Sequence, residues 1–291
     1  MSEAEAPSWA LYEAFLAVME GGSLSAASRA LRVAQPTIRR HVERLEELLG
    51  VVLFTRARNG LVPTDVARAT LPYAQAIAAS ARAFVRSASA AEDRGTVRVA
   101  ASEVVGAEVL PAMLAALARA HPAIHLELVL SNRNEDLVRR DADLAVRMAR
   151  PTQAGLVARH VGAVEVGLFA SPAYLATHPA PTKLAQLRDH ALIGGDRERG
   201  TIDALGQAGL ATRSSDYALR TDNQLAQLAA VRAGVGIGPC QVPLATGLVR
   251  VLPRLGFPLH IWLVMHEDLR GARRVRTVFD HLVTTLGAYV G

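Results

Sequence analysis

Six consecutive residues, Gln35-Pro36-Thr37-Ile38-Arg39-Arg40, carry side chains suited to reading a nucleic-acid duplex. Glutamine pairs bidentately with adenine and arginine with guanine in the major groove, whereas hydroxyls and further arginines suit phosphate oxygens. On a helical wheel at about 100° per residue, Ile38, Val42, Leu45 and Leu49 fall in one narrow arc, the expected buried face. The opposite arc holds Pro36 and Arg40, then Glu43 and Glu47, flanked by Thr37, Arg39 and Arg44. A helix laid full length on phosphates would press both glutamates against like charge. A helix that inserts only its N-terminal turns would not. Gln35 with Arg39 or Arg40 are the expected base readers, and Ser25, Thr37, Arg56 and Arg58 the expected phosphate contacts. An ordinary α-hairpin with solvated charges competes for the same pattern.

The elements around this turn favour the first interpretation. Ser25 to Leu31 reads as a short helix, Arg32-Val33-Ala34 as a turn, and Gln35 to Leu49 as a second helix. Beyond Gly50, Asn59-Gly60 separates two apolar segments, a hairpin signal because both central residues of a type I′ turn need positive φ. A helix-turn-helix followed by a hairpin bearing Arg56 and Arg58 is a winged variant, whose tip reaches the sugar-phosphate rim or a minor groove. Trp9 to Glu20 forms a bracing helix with Leu11, Phe15 and Val18-Met19 inward. The chain carries a net charge of +5, almost all of it on arginine. Between Gly21 and Thr70 the basic residues exceed the acidic ones, eight arginines against four acids, which places an electrostatic attraction to phosphates where the motif lies.

The stretch SLSAASRALRVAQPTIRRHVERLEELLGVVLFTR resembles the N-terminal winged helix-turn-helix of the LysR-type transcriptional regulators. The matching features are Ala26-Ala27, Leu31, Ala34-Gln35-Pro36, Leu45-Glu46, Leu49-Gly50, Leu53-Phe54 and Arg56. The family often has a small residue where this chain has Arg39, which leaves the operator preference open, and often a glycine near Asp65. The resemblance implies an α/β protein: an N-terminal all-α winged helix-turn-helix, a long linker helix, and a two-lobed effector domain like a periplasmic binding protein. The expected boundaries are 1–64 for the DNA-binding domain, 65–91 for the linker and dimerisation helix, and 95–291 for the effector domain. Lobe I would take about 95–161 and 265–291, and lobe II about 162–264.

Within the linker, positions 67, 71, 74, 78, 81, 85 and 88 are Ala, Leu, Ala, Ala, Ala, Val and Ala, a 4-3 alternation that reads as a coiled-coil seam. Pro72 inside it predicts a kink or strain. The resemblance implies a homodimer through this helix, assembling further into a homotetramer on a double-stranded DNA operator. After a hinge at Ala88 to Gly95, short apolar strands alternate with amphipathic helices, which predicts a largely parallel sheet.

Ligands of such sheets sit beyond strand C-termini, near helix N-termini. Ser102 and Glu103 follow the first strand, Ser131, Asn132 and Arg133 the second, and Arg147 ends the third. Gly195 with Asp196, and Asp222 with Asn223, hold the corresponding places in the other lobe. By resemblance these regions hold a small-molecule effector, often a carboxylate, which Arg133, Arg147, Ser102 and Ser131 would suit. Asp196 and Asp222 oppose a strongly acidic ligand, or favour an amine on it. Ser102, Ser131 and Asp222 are also ordinary helix-cap types, and Arg147 also suits a nearby acid.

No catalytic set assembles, and no cofactor or metal is expected. Gly234-Val-Gly-Ile-Gly-Pro239 lacks the spacing of a dinucleotide loop and follows a helix. His121 and His125 are separated by Pro122, which denies them a shared helical face. Cys240, the single cysteine, reads as a buried small hydrophobe and excludes an internal disulfide. The acidic first residues and the lack of any membrane-length apolar run predict a cytoplasmic, nucleoid-associated protein with no membrane partner. A solute-binding protein and an α/β enzyme remain as the alternative classes. Neither gives residues 23–64 a role.

Overall fold

Helix α1 (Trp9–Gly21) buries Leu11, Ala14, Phe15 and Val18 along one stripe and ends where Gly22 turns left-handed at φ 66°. In this computed structural model the described residues are 6–57, 60–88, 93–132, 142–153, 155–197 and 200–291, without the side chains of 82, 83, 85–88, 201 and 202. They form two compact units that divide after Ala88.

In the first unit, Ser23 caps α2 (Leu24–Leu31) by accepting from the Ala26 N–H at 3.1 Å. Arg32 then turns left-handed at φ 55°, and the Ser28 hydroxyl donates to the Val33 carbonyl at 2.7 Å across the turn. Helix α3 (Gln35–Leu49) buries Ile38, Val42 and Leu45 against α1 and α2. Leu49 departs from the expected stripe and is 45% exposed, while its neighbour Leu48 packs against the core in its place.

The wing is the antiparallel pair β1 (Phe54–Ala57) and β2 (Gly60–Pro63). Gly60 pairs with Ala57, so it opens a strand and is not a central turn residue. Its φ of 135° and the Gly22 carbonyl oxygen, 2.6 Å from where a Cβ would stand, are what demand glycine. Asn59 and Arg58 lie outside the described residues.

Helix α4 (Asp65–Ala88) is capped by the Thr64 hydroxyl, which accepts from the Ala67 N–H at 3.2 Å, and it runs through Pro72 without a break. Of the expected seam, Ala67 and Ala74 are buried in the first unit's own core. Among the described side chains of α4 the exposed large apolar ones are Val66, Tyr73, Ile77 and Phe84. Ala67 and Ala74 pack in that core because a small side chain lets α4 approach α1 and the wing closely.

The second unit is built on one six-stranded sheet: β3 (Gly95–Ala101), β4 (Ile124–Leu130), β5 (Leu144–Arg147), β6 (Leu156–Ala170), β9 (Gly238–Gln241) and β10 (Val249–His266), in the order β4-β3-β5-β10-β6-β9. Only β4, β3 and β5 run parallel; β10, β6 and β9 pair antiparallel, correcting the largely parallel expectation. The reason is connectivity. The chain traverses both lobes on β6 and returns on β10, and two long strands that pass in opposite directions side by side pair antiparallel. Around it lie α5 (Leu110–Ala120), preceded by a π-turn at Val105–Val109, the short helix α6 (Pro172–Leu175), β7 (Leu192–Gly194), α7 (Gly200–Gln207), β8 (Tyr217–Arg220) and α8 (Gln224–Ala233). The terminal helix α9 (Arg273–Val290) packs Val275, Val278, Phe279, Leu282 and Leu286 onto the core of the first lobe.

Candidate nucleic-acid interface and effector cleft

On α3 the buried stripe fixes which side chains face water. Gln35, Pro36, Arg39 and Arg40 are exposed and Thr37 half-exposed, together on the helix's first two turns. The N-cap is Ala34, which offers no side-chain acceptor, so the helix presents an uncapped positive end beside these residues. Ser25, on the first turn of α2, and Arg56, on β1, are exposed as well.

Glu46 explains how the wing is held to the helix. Its Oε1 accepts from the backbone N–H of Leu53 at 2.6 Å and of Phe54 at 3.1 Å. Glu43 and Glu47, the acids that the wheel set on the outward face, are both exposed. Glu47 pairs with Arg44 at 3.2 Å on the solvent side.

In the second unit a cavity of about 180 Å³ lies between the lobes. Three neighbouring strand positions form its floor: Gln241 on β9 is paired with Val166 on β6, and Val166 with Phe257 on β10. Gln224, Gln227 and Leu228, at the i, i+3, i+4 spacing of one helix face, come from α8, and Val104 comes from the opposite lobe. Cys240 also lines it. Burial pushes the Cys240 thiol up to about 11, so it is uncharged at neutral pH.

Two polar contacts join the lobes at this cavity. Arg232 on α8 makes a bidentate pair with Glu108 of the π-turn, at 3.2 and 2.8 Å. The hydrogen bond from Arg232 lowers the Glu108 carboxyl below its ordinary value, and the same bond raises Arg232. The Tyr289 hydroxyl of α9 donates to Gln241 Oε1 at 2.7 Å, and burial raises that hydroxyl's pKa.

Known proteins match both parts of this chain. The model of the "LysR substrate binding domain" covers residues 90–287, and that of the "Bacterial regulatory helix-turn-helix protein, lysR family" covers residues 9–68. The chain belongs to the LysR family. It is a DNA-binding transcriptional regulator with an effector-binding domain, in a family of regulators and not of enzymes. The probable HTH-type transcriptional regulator LtrA of Klebsiella pneumoniae is 27% identical over 288 residues, 94% of this chain and 93% of that protein. CrgA of Neisseria meningitidis serogroup C is 32% identical over 182 residues, 62% of this chain and 61% of its own length. The full-length structure of AphB, a Vibrio cholerae virulence activator, is 26% identical with a TM-score of 0.61, covering 94% of this chain and 98% of that one. Full-length CbnR with its target DNA is 23% identical with a TM-score of 0.69 over 96% and 99% of the two chains, a likeness of fold. Among the described residues no helix is long and apolar enough to cross a membrane, and no group of three or more His, Cys, Asp or Glu could hold a metal.

Of the effector residues expected in this regulator, Gly195 lines the cavity. Ser102 is buried with no hydrogen-bond partner for its Oγ, and Glu103 Oε2 is likewise buried without one. The Glu103 N–H donates to Asn132 Oδ1 at 3.2 Å. Arg147 is buried and donates to the Ser131 carbonyl. Arg133 lies outside the described residues. Asp222 is occupied structurally, its Oδ1 accepting from the N–H groups of Asp196 and Arg197 at 2.8 Å each. Asn223 caps α8 through the Ala226 N–H at 2.8 Å, and Asp196 pairs with Arg220 at 3.3 Å. Sequence reasoning missed Gln227, Gln241, Phe257 and Val166 as cavity residues. The i, i+3, i+4 polar-apolar face of α8 was the one local signal that could have found part of the set.

Proposed function

We propose that this regulator binds its operator as a dimer whose two α3 helices enter successive major grooves, and that a small molecule held between the lobes modulates that binding. The observation that carries the reading is the exposed cluster Gln35, Pro36, Arg39 and Arg40 on an uncapped helix end, beside Arg56 of the wing. Gln35 with Arg39 or Arg40 reads base edges, while Ser25, Thr37 and Arg56 hold phosphates. Residues 1–64 are the DNA-binding domain, 65–91 the linker and 95–291 the effector domain. Dimerisation runs along the stripe Val66, Thr70, Tyr73, Ile77, Ser80 and Phe84, a 4-3 alternation on which Tyr73 and Phe84 are 74% and 75% exposed. Two dimers then associate through their effector domains.

The cleft couples to DNA through lobe closure, and an effector shifts that equilibrium only as far as it binds the two arrangements unequally. The test is a gel shift at fixed salt on the DNA flanking the gene, with nonspecific competitor. Arg40→Ala is expected to lose about 1–3 kcal/mol of specific binding, roughly 5- to 150-fold. Specific binding untouched by this change would reject the docking of α3.

A further inference from the structure

The cavity's walls are apolar apart from a thiol and amides. Val104, Val166, Leu228, Leu244, Phe257 and Leu259 supply most of its surface. The two charges that act on Cys240 are paired with one another, since Arg232 grips Glu108 with both guanidinium nitrogens. Arg147 is buried and turned to the Ser131 carbonyl. Three amides line the cavity, those of Gln224, Gln227 and Gln241, and the last two have one end already engaged. Tyr289 occupies Gln241 Oε1, which leaves the NH2 end of Gln241 as a donor. The Gln227 NH2 donates to the Thr221 carbonyl at 2.6 Å, which leaves its Oε1 as an acceptor. Thus Gln241 offers a donor and Gln227 an acceptor, and the described lining carries no formal charge.

We propose that the effector of this cleft is a small uncharged molecule with an apolar body and a hydroxyl or carboxamide head, and not a carboxylate. The inference rests on the reading of this cavity as the effector site. A carboxylate buried here would lose its hydration and meet amide dipoles in place of a counter-ion, and an unpaired buried charge is strongly disfavoured. A hydroxyl or carboxamide can satisfy both glutamines at once, donating to Gln227 and accepting from Gln241. The volume of about 180 Å³ limits the body to about a single ring or a short branched chain.

Cys240 reports on the same space, because it lines the cavity and is the only cysteine in the chain. The full-length protein is treated in parallel with benzyl methanethiosulfonate, which is neutral, and sulfonatoethyl methanethiosulfonate, which is anionic. Single-adduct formation is followed by mass spectrometry, and each rate is divided by that reagent's rate on a free small thiol. The ionised fraction of Cys240 is common to both reagents and cancels. The expected result is a corrected rate at least tenfold lower for the anionic reagent, although the chain's net charge of +5 draws anions toward it. An anionic rate equal to or above the neutral one would overturn the uncharged class while leaving the cleft as the effector site. Failure of both reagents on the native protein, with full labelling after denaturation, would overturn the cleft as a ligand site and the inference with it.

Discussion

Replacing Glu46 with alanine tests whether the wing is held to the recognition helix by one carboxylate. Two backbone N–H groups, of Leu53 and Phe54, converge on its Oε1 at 2.6 and 3.1 Å, and the same segment carries the buried Leu53 and Phe54 side chains into the first core. A hydrogen bond to a charged group contributes about 1.5–3 kcal/mol, so two would contribute about 3–6. Glu46 is half-buried, and water replaces part of what is lost, which brings the expected destabilisation to about 2–4 kcal/mol. That is a large share of the roughly 5–15 kcal/mol that holds a domain folded. The chain's two tryptophans divide between the units, Trp9 on α1 and Trp262 on β10, so in a Trp262→Phe background the fluorescence of Trp9 follows the first unit alone. Urea titration of Glu46→Ala in that background should lower the midpoint accordingly without changing the slope. Glu46→Gln keeps an acceptor oxygen and loses the charge, so it should fall between. Operator affinity should drop with both, since Arg56 sits on the strand that begins at Phe54. A loss under about 0.5 kcal/mol for Glu46→Ala, the range of an ordinary surface change, would refute the tether.

Tyr73→Glu places a like-charged pair in the proposed two-fold seam of α4, and sedimentation should show the dimer weakened at least about tenfold; an unchanged mass distribution would reject that seam. Glu108→Gln should lower the unfolding free energy of the second unit at pH 7 by about 0.5–1 kcal/mol, a discounted value because the pair is 41% and 29% exposed. Because Arg232 depresses the Glu108 carboxyl, its contribution is full above the ordinary value of 4.5 and is lost as pH falls through the lowered one. The variant's acid limb should therefore be flatter, and an identical limb would rule out the pair as a lobe tie. Iodoacetamide alkylation of Cys240 should keep rising about tenfold per pH unit up to about 11, where burial has pushed the thiol; a plateau near its ordinary 9.0 would show the site to be wet.

The DNA-binding half was legible because its determinants are local. The apolar period of Ile38, Val42 and Leu45, the Ser23 cap and the glycine that ends α1 act within a few residues, and each points to the same helix-turn-helix. Where local signals have two solutions, tertiary structure chose. The alanines of α4 could face a partner or the chain's own core, and Ala67 and Ala74 went to the core because α1 was already beside them. Gly60 could serve a turn or a close approach, and the Gly22 carbonyl decided for the second. The effector cleft was legible only as a place. Strand ends marked its surroundings, and Asn223 follows a local helix-cap pattern, but Asp222 was taken up by the distant N–H groups of Asp196 and Arg197, a choice of partner that no local pattern encodes. Its floor joins Gln241, Val166 and Phe257, which are distant in sequence and adjacent only through the register of β9, β6 and β10. By itself, then, the sequence determined the elements and the DNA-reading turn, because helix period and capping are short-range. The tertiary structure alone decided the chemistry of the cleft, because strand register and hydrogen-bond pairing bring together side chains that the chain keeps far apart.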